Sequence, residues 1–170
     1  VVGVTQPISK WNYQIRRAED IPWAVARAFY IARSGRPGPV VLDFAKNAQT
    51  AMIEYAPQTV DFIRSYNPVP ETQPGSIEMA AELINQSVKP LMLVGQGVEL
   101  AGARQELLAL CEKAQIPFGQ TMLGLSAAPT GHPLNMGMLG MHGNLAPSVM
   151  TNQCDLLIAV GMRFDDRVTG

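Results

Sequence analysis

The apolar positions of this chain fall into runs that alternate with helix-period segments. Three runs have strand length: residues 91–94 (LMLV), 116–118 (IPF) and 156–160 (LLIAV). Each is continuous rather than alternating, as expected of strands covered on both faces, and each leads into glycine. Between them, Leu100, Ala103, Leu107, Leu110 and Ala114 recur at helical spacing, and residues 144–152 read as a further helix. Ser76 is placed to cap a helix carrying Ile77, Ala80, Ala81 and Ile84, closed by Lys89-Pro90. Helix and buried strand in alternation predict a parallel sheet with right-handed crossovers. Residues 122–147, rich in glycine and methionine and holding both histidines, break the rhythm. A long stretch without period inside such a domain is usually functional.

The first part of the chain reads differently. Residues 1–17, mixing turn residues with a β-rich run over 8–15 that holds Trp11 and Tyr13, predict an extended entry segment. Asp20 and Pro22 mark a helix start, with Ile21, Val25, Phe29 and Ala32 as its inner face and Gly35 as its stop. The glycine- and proline-rich residues 34–39 then lead to a short strand, 40–42, ending at Asp43. Residues 51–75 carry Pro57, Pro68, Pro70 and Pro74 and no sustained period, which predicts a linker. The fold class is therefore α/β: a three-layer, Rossmann-like parallel sheet flanked by helices, expected to be truncated, with an N-terminal αβ appendage. The chain opens at Val1 without methionine and stops at Gly170, where a strand-end loop should feed a helix, so an excised piece of a longer protein is expected.

Composition narrows the classes. With 47% hydrophobic and 16% charged residues the chain is too apolar for disorder. A net charge of -1 gives no electrostatic case for nucleic acid or an anionic membrane surface. Cys111 and Cys154 form neither a disulfide framework nor a metal motif, which fits idle thiols in a reducing cytosol. His132 and His142 lack Cys or acidic neighbours at ligand spacing, so no metal site is expected, and no catalytic set is complete within the chain. Gly95-Gln96-Gly97 follows a strand, but Leu100 stands where a nicotinamide fingerprint needs glycine. Gln120 and Thr121 stand where that fingerprint needs an acid. What survives is a row of glycine-bearing strand ends (Gly95, Gly97, Gly119, Gly161) suited to a flat, phosphate-bearing ligand. In the last stretch, Arg163 and Arg167 flank Asp165 and Asp166, so an ion pair can fix an arginine for bidentate work on a phosphate or carboxylate; a solvated turn of mixed charge is the plainer reading.

Four motifs carry a family resemblance: SGRPGP at 34–39, TMLGL at 121–125, LGMHG at 139–143 and GMRFDDRVTG at 161–170. With them the chain resembles, over essentially its whole length, the catalytic subunits of the acetohydroxyacid synthase (acetolactate synthase) family. The resemblance implies the end of a pyrimidine-binding domain (1–50), an interdomain linker (51–75) and the first half of a central FAD-binding domain (76–170). It implies that FAD performs no net redox chemistry, while thiamine diphosphate with Mg2+, held by regions outside this chain, joins pyruvate to pyruvate or 2-ketobutyrate with decarboxylation. By motif position, Arg36, Gly95, Gln96, Gly97, Thr121, Met122, Leu123, Leu139, Gly140, Met141, His142, Arg163, Asp165 and Val168 resemble flavin contacts. Arg167, Met141 and Lys46 resemble contacts to substrate or its channel, Arg167 reading the carboxylate of the second ketoacid with an acidic neighbour holding it. Ala45 and Asn47 depart from the family pattern around Lys46.

The implied parent is a cytoplasmic homo-oligomer with a regulatory small subunit. No glycine here is followed by aspartate, so the thiamine segment is missing, and the chain by itself is expected to be inactive, to purify without flavin, and to self-associate through an uncovered sheet edge. Two other readings stand beside this one. The first is a related flavin-containing carboligase such as glyoxylate carboligase, against which the Asp165-Asp166 pair speaks. The second is a non-catalytic nucleotide-binding module of the same architecture.

Overall fold

A computed structural model describes residues 1–169. The chain divides into two compact units, residues 1–72 and 73–170.

In the first unit, helix α1 (Val2–Thr5) and a 3-10 turn over Gln6–Ile8 precede strand β1 (Trp11–Ile15). The entry segment expected to be extended over 1–17 is therefore helix and turn over 2–8, and extended structure starts only at Trp11, with Pro7 inside the turn. After a further turn come α2 (Ile21–Arg33), β2 (Val40–Phe44) and α3 (Lys46–Thr50). β1 and β2 pair in parallel, Trp11 opposite Val40 through Ile15 opposite Phe44. The small core holds Ile15, Ala24 and Ala48, with Tyr13, Ile21, Trp23 and Leu42 packed on it. This corrects the expected inner face of α2. Ala24, Ala28 and Ile31 are buried while Phe29 is exposed, since small residues let the helix lie close on a two-stranded sheet. Asp20 precedes the helix but its side chain makes no capping bond; Arg17 is its ion-pair neighbour at 3.9 Å. Arg27 lies over the rings of Trp11 and Trp23, 5.4 Å from each centroid.

At the C-terminus of α2, the Lys10 ammonium donates to the carbonyls of Ile31 (2.6 Å) and Ser34 (2.7 Å), where the helix dipole favours a cation. The hydrogen bond with Ser34, together with Lys10, lowers the pKa of Tyr66. Residues 51–72 otherwise hold only the isolated bridge between Ile63 and Tyr66.

The second unit runs α4 (Ser76–Gln86), β3 (Pro90–Val94), α5 (Gly97–Leu100), α6 (Arg104–Ala114), β4 (Phe118–Gln120), β5 (Asn135–Met138), α7 (Leu145–Gln153), β6 (Leu156–Val160) and α8 (Asp166–Thr169). The sheet is all parallel, in the order β5-β4-β3-β6. β3 is central and shows why its sequence is unbroken. Met92 and Val94 point into one core with Val98, Leu107, Cys111, Ile116 and Phe118, while Leu91 and Leu93 point into the other with Leu139, Met150 and Cys154. Burying each such side chain contributes about 1.5–3 kcal/mol. α6 covers one face and α7 the other, giving the three layers.

Four expectations are corrected here. The helix over 100–114 is two helices, because Gly102 adopts φ +67 and breaks it after Leu100. Ser76 does not cap α4; Gly75, at φ +79, precedes the helix and the Ser76 hydroxyl turns back to the Gln73 carbonyl. The strand expected at 116–118 starts at Phe118, since Gln115 makes a left-handed corner (φ 52), although the Pro117 carbonyl already accepts from Met92. Finally, β5 was illegible: Asn-Met-Gly-Met has no β-branched residue, Gly137 sits at φ 101, and the β4 pairing is irregular at Phe118/Gly119.

At the amino ends of the strands, Asp155 fixes the register of β6 on β3. Its carboxylate accepts from the Ser87 hydroxyl, from Val88 N–H (2.7 Å) and from Lys89 N–H (2.9 Å). The Ser87 bond, then those amides, lower its pKa from the ordinary 3.8. A depressed carboxylate supports the fold above its unfolded pKa and ceases to do so as pH falls through its folded value.

Candidate functional site

Because all four strands are parallel, their carboxyl ends share one edge. The loops that leave it are 139–143, 121–125, 95–98 and 161–168, in the spatial order β5, β4, β3, β6. From β3 the chain builds outward to β4 and then β5; β6 is laid down on the other side of β3. The reversal between β3 and β6 is a topological switch point, where open α/β sheets bind ligands.

At that point the two loops touch through backbone. Gly95 N–H donates to the Val160 carbonyl at 2.9 Å, and Gly97 N–H to the Gly161 carbonyl at 2.7 Å. A Cβ on Gly97 would lie 2.6 Å from Gly161 Cα; one on Gly161 would lie 2.5 Å from Val98 N, and Gly161 is at φ +61. The first requirement on these glycines is therefore that two backbones meet, which forms the floor of the edge. Gly119 is not a strand end. It lies within β4, opposite Leu93 and Gly137, and its hydrogen faces Leu139 and Pro147. Gly124 takes that place at the edge, since a Cβ there would come 2.5 Å from the Val94 carbonyl and 3.0 Å from Gly95 Cα.

The end of β6 does not stay beside β6. Met141 N–H donates to the Arg167 carbonyl at 3.0 Å, and a Cβ on Gly140 (φ +94) would collide with that same oxygen. β5 and β6 are separated by three strand spacings, about 14 Å, and the five residues 161–165 that precede α8 can reach roughly 17 Å. Residues 161–167 thus cross the carboxyl edge as a strap from β6 to β5. The missed strand β5 is what brings residues 139–143 to this edge.

Along the edge Met122, Leu123, Met141 and Phe164 are 53–75% exposed, an unusual concentration of large apolar side chains at one end of a sheet. The Arg163 guanidinium pairs with Asp165 at 3.1 Å. Asp165 also accepts from Arg167 N–H (3.2 Å), so this carboxylate both caps α8 and steadies Arg163. Arg167 meets Asp166 only at 3.9 Å, with both side chains largely exposed. The pinned arginine is thus Arg163, and Arg167 keeps its guanidinium for another partner, since such surface pairs hold weakly. Thr121 N–H donates to the Val94 carbonyl and Val168 N–H to that of Asp165. His142 is exposed and Gln96 half-buried. The Leu139 side chain lies in the core, leaving its backbone to the edge. Among the described residues, the amides of Gln96, Gly140, His142, Met162 and Arg163 have no protein partner. Arg36 and Lys46 belong to the first unit and are both exposed.

The remaining titratable candidates are structural. His132 takes Leu134 N–H on Nδ1, so Nε2 donates to Glu112 at 3.1 Å, and the ring packs on Phe118. Burial pushes the Cys111 thiol up to about 11. No group of His, Cys, Asp and Glu among the described residues could hold a metal. Sequence reasoning passed over Gln120, the one side chain that is polar and fully buried among the described residues; its only signal was a polar residue closing an apolar strand.

An open parallel sheet whose carboxyl-edge loops converge at a switch point defines a doubly wound α/β domain. The chain belongs to the family described as thiamine pyrophosphate enzyme, central domain, which matches residues 77–170. It is 43% identical to the acetolactate synthase large subunit of Corynebacterium glutamicum, over 99% of this chain and 27% of the relative. It is likewise 43% identical to the acetolactate synthase isozyme 1 large subunit of Escherichia coli, over 99% of this chain and 29% of that one. An X-ray structure from Mycobacterium smegmatis, described as a thiamin diphosphate-dependent enzyme, superposes with a TM-score of 0.74 at 26% identity, covering 95% of this chain and 30% of that one. The chain spans less than a third of each of these proteins.

Proposed function

We propose that this sequence serves in an acetolactate synthase large subunit, which condenses pyruvate with pyruvate or 2-ketobutyrate with loss of CO2, and that the sheet edge described above holds FAD. Residues 1–50 then end a pyrimidine-binding domain, 51–75 link, and 76–170 form the first half of the flavin-binding domain. The observation that carries the reading is the convergence of four loops on one edge, with the strap joining the outermost two. The edge fits the group: free amides and Arg163 suit a diphosphate, and Met122, Leu123 and Met141 suit the apolar faces of a flavin ring. In this reading thiamine diphosphate with Mg2+, bound by other segments, supplies the carbon–carbon bond formation.

The chain's own residues bind and orient. Gly95, Gln96 and Gly97 offer backbone at the floor. Thr121, Met122 and Leu123 form one wall; Leu139, Gly140, Met141 and His142 form the other. Asp165 and Val168 hold the strap, and Arg167 and Met141 face the second ketoacid. Arg36 and Lys46, in the first unit, keep the flavin and substrate roles that their motif positions imply. The parent is a cytoplasmic homo-oligomer with a regulatory small subunit; for this chain, no helix among the described residues is long and apolar enough to cross a membrane.

A full-length synthase carrying this sequence, supplied with thiamine diphosphate, Mg2+ and FAD, is expected to form acetolactate from pyruvate at least tenfold faster than it condenses glyoxylate. A preference for glyoxylate would replace this reading with the glyoxylate carboligase one.

A further inference from the structure

Gln120 closes β4 and is 1% exposed. Both ends of its amide are used. Nε2 donates to the Gly124 carbonyl at 2.9 Å, and Oε1 accepts from Asn135 Nδ2, also at 2.9 Å. Asn135 in turn donates to the Pro129 carbonyl at 3.0 Å and accepts from Gly137 N–H at 2.9 Å. Buried and engaged at both ends, the Gln120 side chain does not face a ligand. What it does is close the turn 121–124 from beneath. Thr121 N–H is held by the Val94 carbonyl at 2.8 Å, Gly124 N–H by the Thr121 carbonyl at 2.8 Å, and Gly124 is pressed against Gly95. Met122 and Leu123, exposed at the crest of this turn, have no packing of their own to fix them. Their position relative to the floor at Gly95 is set by Gln120.

We infer that Gln120 is a positioning residue for the flavin edge: one buried amide locks the Thr121–Gly124 turn against Gly95 and couples it, through Asn135, to β5, the strand that delivers residues 139–143. The inference rests on the flavin reading above and adds to it a residue that does not touch the ligand. A buried carbonyl left without its donor is costly, so the turn rearranges when the amide is removed.

The test uses a full-length synthase carrying this sequence, freed of flavin and titrated with FAD while the flavin absorbance shift is followed, with amide exchange read in parallel by mass spectrometry. Gln120→Leu is expected to speed exchange at Gly124 N–H roughly tenfold and to raise the Kd for FAD roughly fivefold, the loss expected for one buried hydrogen bond. Gln120→Met, close in length and volume but with no donor for Gly124, carries the same expectation should the Leu variant not fold. Leu107→Ala, which destabilises the same unit from α6 and leaves the Gln120 and Asn135 bonds in place, is expected to leave Kd within twofold; that separates positioning from general loss of stability. Flavin shifts in the wild type with an unchanged Kd in both Gln120 variants overturn the inference alone. No flavin shift in the wild type overturns the flavin reading, and this inference with it.

Discussion

Replacing Arg167 with alanine in a full-length synthase carrying this sequence is expected to lower kcat/KM for the second ketoacid by about 10–100-fold, the range for losing a charge-assisted, bidentate hydrogen bond to a carboxylate. The geometry says why this arginine, and not Arg163, carries that sensitivity. Arg163 is paired with Asp165 at 3.1 Å, whereas the nearest acid to Arg167 is 3.9 Å away and exposed. The Arg167 backbone is nevertheless held, its carbonyl bonded to Met141 and its N–H to Asp165. A fixed main chain with a free guanidinium is a good arrangement for reading an incoming anion. Lysine at 167 is expected to restore only part of the loss, because it lacks the planar fork. Asp166→Asn is expected to change rates less than twofold, since its pair with Arg167 is solvated. Steady-state kinetics with pyruvate and 2-ketobutyrate would check all three. Equal behaviour of Arg167→Ala and wild type would remove Arg167 from substrate recognition.

The second large effect is on stability. Gly161→Ala is expected to destabilise the second unit by about 3–5 kcal/mol, measured by chemical denaturation. Two causes add. A side chain at φ +61 costs about 1–2 kcal/mol, and the new methyl would stand 2.5 Å from Val98 N and 2.8 Å from Gly97 Cα, both backbone atoms that cannot swing away. Gly102→Ala serves as the control. It shares the positive φ, +67, but has nothing within 4 Å of the added methyl, so only the conformational cost of about 1–2 kcal/mol applies. Equal losses in the two variants would mean that the β3 and β6 loops do not meet as described.

How much of this was readable beforehand follows from what each segment's residues encode. β3 was legible because a strand covered on both faces must be apolar throughout, and Leu91 to Val94 leave no other interpretation; β6 carries the same apolar run but is covered on one face only, with Leu157 and Ala159 exposed, so the expected second cover is corrected there. The helix after β3 was half legible: Leu107 was placed on its inner face, but Gly102 imposes a break that periodicity alone runs through. In α2 the period was right and the face only partly so: Ile21 packs on the core and Phe29 is exposed, while Ala24 and Ala28 are buried for their smallness, not for their hydrophobicity. β5 left no trace, since its pairing is dictated by β4 and the Asn135 network rather than by its own propensity. That omission matters most for the site. Residues 139–143 were named from their likeness to a family, yet only β5 explains why they stand on the same edge as residues 95–97. Gln120 was met as the wrong residue for a ribose contact, and its actual partners, Gly124 and Asn135, lie in a stretch with no period at all. The strap was likewise unreadable, because a single hydrogen bond from Met141 to Arg167 defines it.

The central claim is that four separate loops make one flavin-binding edge, and the most direct measurement is amide hydrogen exchange, read by mass spectrometry, on a full-length synthase carrying this sequence, freed of flavin and titrated with FAD. Concerted protection, saturating with a single Kd, is expected at residues 95–98, 121–124, 139–142 and 162–167, with the amides of α4 unmoved. Protection confined to one of these loops, different Kd values among them, or no protection at any of them at saturating FAD would contradict it.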